Sequence, residues 1–116
     1  MSDCIFCKII TGDIPSAMVY EDDFVYAFKD LHPRAKIHHL IVPREHHSDI
    51  LALQASGRAP EVLSQVLTAV EAIAKQEGID RRGFRLVNNC GAEGGQTVMH
   101  LHFHLLGGET LDEDSM

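Results

Sequence analysis

The amino-acid sequence predicts an α+β domain: a mainly antiparallel five-stranded sheet, with one long and one or two short helices packed on one face. Three observations predict it. Short runs rich in β-branched and aromatic residues, such as Ile37–Pro43 and Phe84–Asn89, are bounded by turn residues. One segment, from Pro60 to about Glu77, repeats Val62, Leu63, Val66, Leu67, Val70, Ile73 and Ala74 at helical spacing. Near the C-terminus, His100, His102 and His104 alternate strictly with Leu101, Phe103 and Leu105. Alternation of period 2 places the three imidazoles on one face of a strand and the apolar residues on the other.

The elements follow in order. Residues 4–10 read as a short helix stopped before Gly12, with Pro15 beyond. Its Cys4 and Cys7 are three apart and share one side of a turn. Met18–Glu21 and Phe24–Lys29 read as two strands around Glu21-Asp22-Asp23, the second closed by Asp30-Leu31-His32-Pro33. Ile37–Pro43 is the clearest strand besides the histidine row, and Pro43 ends it. Ser48 is the expected cap of a short helix Asp49–Leu53, followed by a linker over Gln54–Ala59. Pro60 suits the first turn of the long helix and Gly78 its stop. Phe84–Asn89, a Gly-rich loop over Cys90–Gln96 and the histidine strand Val98–Leu106 complete the domain. Residues 1–108 are expected to form the domain, and 109–116 a short, acidic, frayed tail.

Composition narrows the function. A chain of 116 residues, 45% of them hydrophobic, suffices for one domain with a core of its own. The formal charge of −7, without any Lys/Arg cluster, argues against nucleic acid or an anionic membrane as partner. No apolar run reaches transmembrane length, and the N-terminus does not read as a signal peptide. Three cysteines, two of them in a C-x-x-C pair, suit a reducing, cytoplasmic setting and a metal or redox role rather than a disulfide framework.

The histidine row is the chemical centre. Neutral imidazole is a good nucleophile toward phosphorus near neutral pH. His102, the middle residue, is flanked by the other two. The following donors suit a phosphate: the Gly-rich turn, Gln96 and Thr97. His104 or Thr97 suits proton delivery to a leaving group. A three-histidine metal site is the competing reading of the same row. Cys4 and Cys7 call for two further ligands, and His46, His47 or His100 could complete a closed Cys₂His₂ site. Asp30, at a strand end, is either a turn former or an acceptor for ribose hydroxyls. Asn89 is either a turn former or a ligand-binding amide.

These residues resemble a known family. His100-Leu101-His102-Phe103-His104-Leu105-Leu106 resembles the signature of the histidine triad (HIT) superfamily. The likeness extends to Cys4–Ile10 with Gly12 and Ile14-Pro15, to Phe28-Lys29-Asp30, to His38–Pro43 and to Asn89–Gly108. It is nearest to the Hint-like purine nucleoside phosphoramidases in their bacterial, zinc-containing form. The resemblance implies a homodimer whose sheet continues across both subunits, and an AMP-like purine nucleotide as ligand. It implies His102 as the nucleophile on the α-phosphorus, His104 beside the phosphate and His38 as a support of the hydrogen-bond network. It implies ribose contacts at Asp30 and Leu31, and a base wall of Phe6, Ile9, Ile14 and Phe28. Asn89, Gly95, Gln96 and Thr97 match phosphate and leaving-group contacts. Cys4, Cys7, His46 and His100 match zinc ligands, the metal being structural.

The expected activity is hydrolysis of the bond between the α-phosphate and an amine through a nucleotidyl-histidine. The alternatives are a dinucleoside polyphosphate hydrolase, a nucleotidyl transferase, or a non-enzymatic nucleotide sensor. There are two departures from the family pattern, and the first bears on the leaving group. The chain has no Trp and an acidic tail where the family often carries an aromatic, Pro-containing one, and Lys36-Ile37 precedes His38.

Overall fold

A computed structural model describes residues 3–115; residues 1, 2 and 116, at the ends of the expected domain and tail, lie outside the described part. Helix α1 spans Ile5–Thr11, strands β1 Met18–Glu21, β2 Val25–Lys29 and β3 Ile37–Pro43, helices α2 Ile50–Ser56 and α3 Ala59–Gln76, and strands β4 Arg85–Val87 and β5 Phe103–Gly107. The sheet order is β1-β2-β3-β5-β4, antiparallel throughout, as the α+β reading expects.

The two faces of the sheet carry different layers. Val25, Ala27, Ile41, Phe103 and Leu105 join Leu53 of α2 and the apolar stripe of α3 in one core. On the opposite face Phe28, Leu40 and Val42 pack with Phe6 and Ile9 of α1. Helices therefore lie on both faces rather than one. The strands explain why: β3 is apolar at consecutive positions, Leu40-Ile41-Val42, so both of its faces need cover.

Local chemistry sets the ends. Cys4 caps α1, its Sγ accepting the Cys7 N–H at 3.3 Å, and Gly12 closes the helix at φ 88°. The cap of α2 is Asp49, not Ser48: its Oδ1 accepts the Ala52 N–H at 2.8 Å. The expected linker is mostly helix, since α2 runs on to Ser56 before Gly57 ends it at φ 79°. Pro60 sits in the first turn of α3 as expected.

The histidine strand is shorter than Val98–Leu106. β5 begins at Phe103, paired with Ile41, and the next position of β3 toward its end is Val42, then Pro43. Pro43 lacks an N–H, so the ladder does not continue. Other groups take over the backbone of residues 100–102. The Leu101 N–H bonds His47 O at 2.7 Å, and Asn88 Nδ2 donates to His102 O at 2.9 Å. Alternation survives this change: Leu101, Phe103 and Leu105 all join the α3-side core. The acidic tail is partly held, because Glu109 Oε2 accepts the Lys36 N–H at 2.8 Å before a 3-10 turn at Glu113–Ser115.

Candidate active site and metal centre

The α1-side face gathers most of the predicted site. Phe6, Ile9 and Phe28 are buried together, with Ile14 packed against them. The Phe6 ring meets the His102 ring edge-on, centroids 4.9 Å apart. The rings of His102 and His104 follow at 5.3 Å, and those of His104 and His38 at 5.2 Å. Leu31, a predicted ribose contact, stands 89% exposed on the turn after β2.

Backbone groups orient these imidazoles. His102 Nδ1 lies 2.7 Å from the carbonyl of His100, which can only accept, so Nδ1 carries the proton and Nε2 keeps its lone pair. His100 Nε2 lies 2.8 Å from Pro43 O, so its Nδ1 is the unprotonated atom. His38 Nε2 approaches His104 Nδ1 at 2.9 Å and Asp30 Oδ2 at 3.4 Å. Asp30 Oδ1 accepts the His32 N–H at 2.8 Å, so this carboxylate forms a turn and faces the site at once. Burial is the main reason that these rings resist protonation. It lowers His38 and His102 from the usual value, and it takes His100 and His104 down to about 4. The direction of each shift favours the neutral ring.

Two predicted contacts are engaged inside the protein. Gln96 is 5% exposed and both polar atoms of its amide are engaged. Nε2 donates to Ser48 O at 2.7 Å and Val98 O at 3.0 Å, while Oε1 accepts the Gly91 N–H at 2.9 Å. In the loop, the N–H groups of Gly94, Gly95 and Gln96 close on carbonyls of Gly91 and Ala92. Asn89 Nδ2 bonds Gly94 O at 2.8 Å. The fold requires glycine at 94, where a Cβ would stand 2.4 Å from Cys90 O. Thr97 is exposed beside this loop. Asn88, which the sequence does not single out, holds the His102 carbonyl, whereas its neighbour Asn89 bonds the loop. A cavity of about 520 Å³ lies elsewhere, between Glu77–Arg85 and Gly108–Leu111, and contains none of the predicted site residues.

The second cluster joins Cys4, Cys7, His46 and His100, whose ligand atoms all lie within 4.8 Å of one another. His46 Nδ1 and His100 Nδ1 are 3.0 Å apart, Cys4 Sγ is 3.3 Å from His100 Nδ1, and Cys7 Sγ is 3.5 Å from both rings. Ligands of a tetrahedral zinc at ordinary bond lengths stand about 3.3–3.8 Å apart. Two sulfurs and two imidazole nitrogens, one with its lone pair already directed by Pro43, therefore fit such an ion. His47 is not part of the cluster; its Nε2 pairs with Glu45 at 2.6 Å. Burial, helped by the Cys4 sulfur, lifts the Cys7 thiol to about 11.

Fold and site together describe a histidine-triad protein, and comparison with known proteins agrees. The HIT domain family matches residues 11–111. The chain is 44% identical to the purine nucleoside phosphoramidase of Escherichia coli over 94% of this chain and 90% of that protein. It is 43% identical to the 14 kDa zinc-binding protein of Brassica juncea, covering 95% and 96%. The solved structure of a histidine triad protein from Clostridium difficile superposes with a TM-score of 0.91 at 46% identity, covering 97% and 96%. The chain belongs to the HIT domain family. No described helix is long and apolar enough to cross a membrane.

Proposed function

We propose that the protein hydrolyses purine nucleoside phosphoramidates, cleaving the bond between the α-phosphorus and an amine. The observation that carries this reading is the His102 ring: Nδ1–H is committed to His100 O at 2.7 Å, so Nε2 is left as an oriented, unprotonated nucleophile. Nε2 attacks phosphorus, the P–N bond breaks, and the amine departs with a proton relayed from solvent through His104 or Thr97. Water then attacks the nucleotidyl-histidine, releasing a nucleoside monophosphate and restoring the imidazole. His104 and Thr97 flank the phosphate. The apolar wall of Phe6, Ile9, Ile14 and Phe28 suits a flat purine, and Asp30 with Leu31 lies where the ribose is expected. Gln96 serves through the loop it braces, and Asn89 and Gly95 shape that loop. The relative named purine nucleoside phosphoramidase supports the substrate class.

The same reading includes zinc on Cys4, Cys7, His46 and His100, supported by the donor geometry and by the relative named a zinc-binding protein. In a closed four-ligand site the ion is structural; it ties α1 and the residue 44–48 loop to the segment that carries His102. A homodimer, as the resemblance implies, completes the reading and is checked by light scattering.

The test is steady-state hydrolysis of an adenosine 5′-phosphoramidate with a fluorescent amine, beside a diadenosine polyphosphate. Turnover of the first, lowered about 10⁴-fold or more in His102→Ala, is expected. Preference for the polyphosphate would replace the substrate class. Full activity in His102→Ala would remove the nucleophile.

A further inference from the structure

We infer that the Arg34 guanidinium, at the mouth of the site, selects substrates whose leaving amine carries an anionic group, a carboxylate or a phosphoryl. This rests on the phosphoramidase reading for the bond that is cut; the placement of the charge does not.

Backbone bonds fix where Arg34 stands. Its N–H lies 3.0 Å from His38 Nδ1, and Nε2 of that ring is 2.9 Å from His104 Nδ1. Residue 34 is thus one ring removed from the histidine row. The turn that carries it is pinned: the Asp30 N–H bonds His38 O at 3.1 Å, Asp30 Oδ1 accepts the His32 N–H at 2.8 Å, and Ala35 is buried. Arg34 itself is exposed. Its amide holds His38, and its side chain is left to the solvent side of the site. Arg44 pairs with Glu21 at 2.8 Å and Arg58 with Glu45 at 3.0 Å, whereas Arg34 makes no ion pair among the described residues. Its charge nevertheless reaches the row. Burial is the first cause of the low values of His38 and His104; the charge of Arg34 adds to it, and that of Asp30 opposes it.

The direction of attack decides which part of a substrate this cation meets. In-line displacement sets the leaving group opposite the nucleophile. His102 is 7% exposed, so opposite its Nε2 is outward, toward the mouth. The α-phosphate lies deeper, against the imidazoles. The ribose side is held by a carboxylate, Asp30, which would repel an anion placed there. What projects past the rings is the amine and whatever it carries. A guanidinium presents a fork of donors that matches a carboxylate or a phosphoryl group. In a chain of formal charge −7, an anionic leaving group would otherwise be disfavoured, so a local cation at the mouth changes the choice of substrate.

The experiment compares adenosine 5′-phosphoramidates of glycine, aminomethylphosphonate and glycinamide in the zinc-replete protein and in Arg34→Gln, Arg34→Glu and Arg34→Lys. These variants keep the backbone N–H on His38. Taking, for each substrate, the ratio of kcat/KM between wild type and variant cancels the differing reactivity of the amines. Arg34→Gln should lower kcat/KM about fivefold for the two anionic substrates and leave glycinamide within about twofold. Arg34→Glu should lower the anionic pair about twentyfold, and Arg34→Lys should keep about half of the wild-type value. The preference should shrink in added salt. The anionic substrate with the larger loss names the group that the guanidinium takes. Equal losses on all substrates in Arg34→Gln, or none, overturn the proposal. Binding keeps the test independent of turnover. In His102→Ala, calorimetry should show the glycine compound held about fivefold tighter than the glycinamide one, and the difference should vanish when Arg34→Gln is added. That difference in a protein that turns over no phosphoramidate would sink the substrate reading alone; its absence overturns the role of Arg34.

Discussion

Asp22 shows how much a single side chain holds. Its Oδ1 accepts the N–H groups of Phe24 and Val25 at 2.7 and 2.8 Å, and its Oδ2 accepts the Tyr20 hydroxyl at 2.7 Å. Burial alone would raise its pKa. The hydrogen bonds from Tyr20, Phe24 and Val25 and the charge of Arg44 outweigh that, and the carboxyl sits below its usual value. The same bond pushes the Tyr20 hydroxyl up to about 12. A folded-state pKa below the unfolded one contributes stability that is present above the unfolded value and lost as pH falls through the folded one. Asp22→Asn keeps the turn acceptor but loses the charge. It should cost about 0.5–1.5 kcal/mol at neutral pH, and the deficit should close as pH falls below the usual carboxylate range and through the depressed folded-state value. Urea titrations across that range check it. A deficit independent of pH would mean that the turn and not the charge is what Asp22 supplies. Asp22 lay between two expected strands, so its turn was legible. Its partner Tyr20, two residues earlier in the chain, was not, because strand spacing alone does not say that its hydroxyl reaches the turn.

At the scale of elements, alternation and helical spacing carried most of the fold. Leu101, Phe103 and Leu105 face the α3 core because strand periodicity holds even where the ladder has stopped. Period said nothing about where the ladder stops, since that depends on Pro43 two strands of sequence away. The site divides in the same way. C-x-x-C and the histidine row were visible as residues, and the resemblance supplied the pairing with His46 and His100. The assignments that needed backbone partners were not visible. Arg34 acts by its amide, Asn88 by holding a carbonyl, and Gln96 by joining Ser48, Val98 and Gly91. These partners lie up to 48 residues away in the chain. Gln96→Glu tests this bracing. The carboxylate would face two carbonyls with no proton to offer, so a loss of about 2–4 kcal/mol at neutral pH is expected, with protection of the residue 90–97 amides falling in hydrogen exchange. An unchanged melting temperature would mean that Gln96 is free to face a ligand.

The whole molecule is held by two cores on opposite faces of one sheet, and they differ in size. The α3-side core is large and apolar, whereas the α1-side cluster is small and adjoins the imidazoles. A helix of seven residues is too short to stand on its own propensity, so α1 depends on what it packs against. Two of its anchors, Phe6 and Ile9, are apolar; the others are the sulfurs of Cys4 and Cys7 in the cluster with His46 and His100. His100 is central because it serves two partners: its ring joins the cluster and its carbonyl orients His102. An ion bound only by the folded chain adds stability by mass action, about 4 kcal/mol at a thousandfold excess over its dissociation constant. Chelation of the zinc-replete protein should therefore lower the melting temperature on the order of 10 °C. The loss should be local before it is global. Hydrogen exchange should rise first in α1 and around residues 98–102, while α3 stays protected until global unfolding. Cys7→Ser should reproduce the shift and leave chelator without further effect. Equal melting temperatures with and without chelator, together with less than stoichiometric zinc by mass spectrometry after zinc-replete expression, would mean that hydrogen bonds among the thiols and imidazoles hold this face unaided.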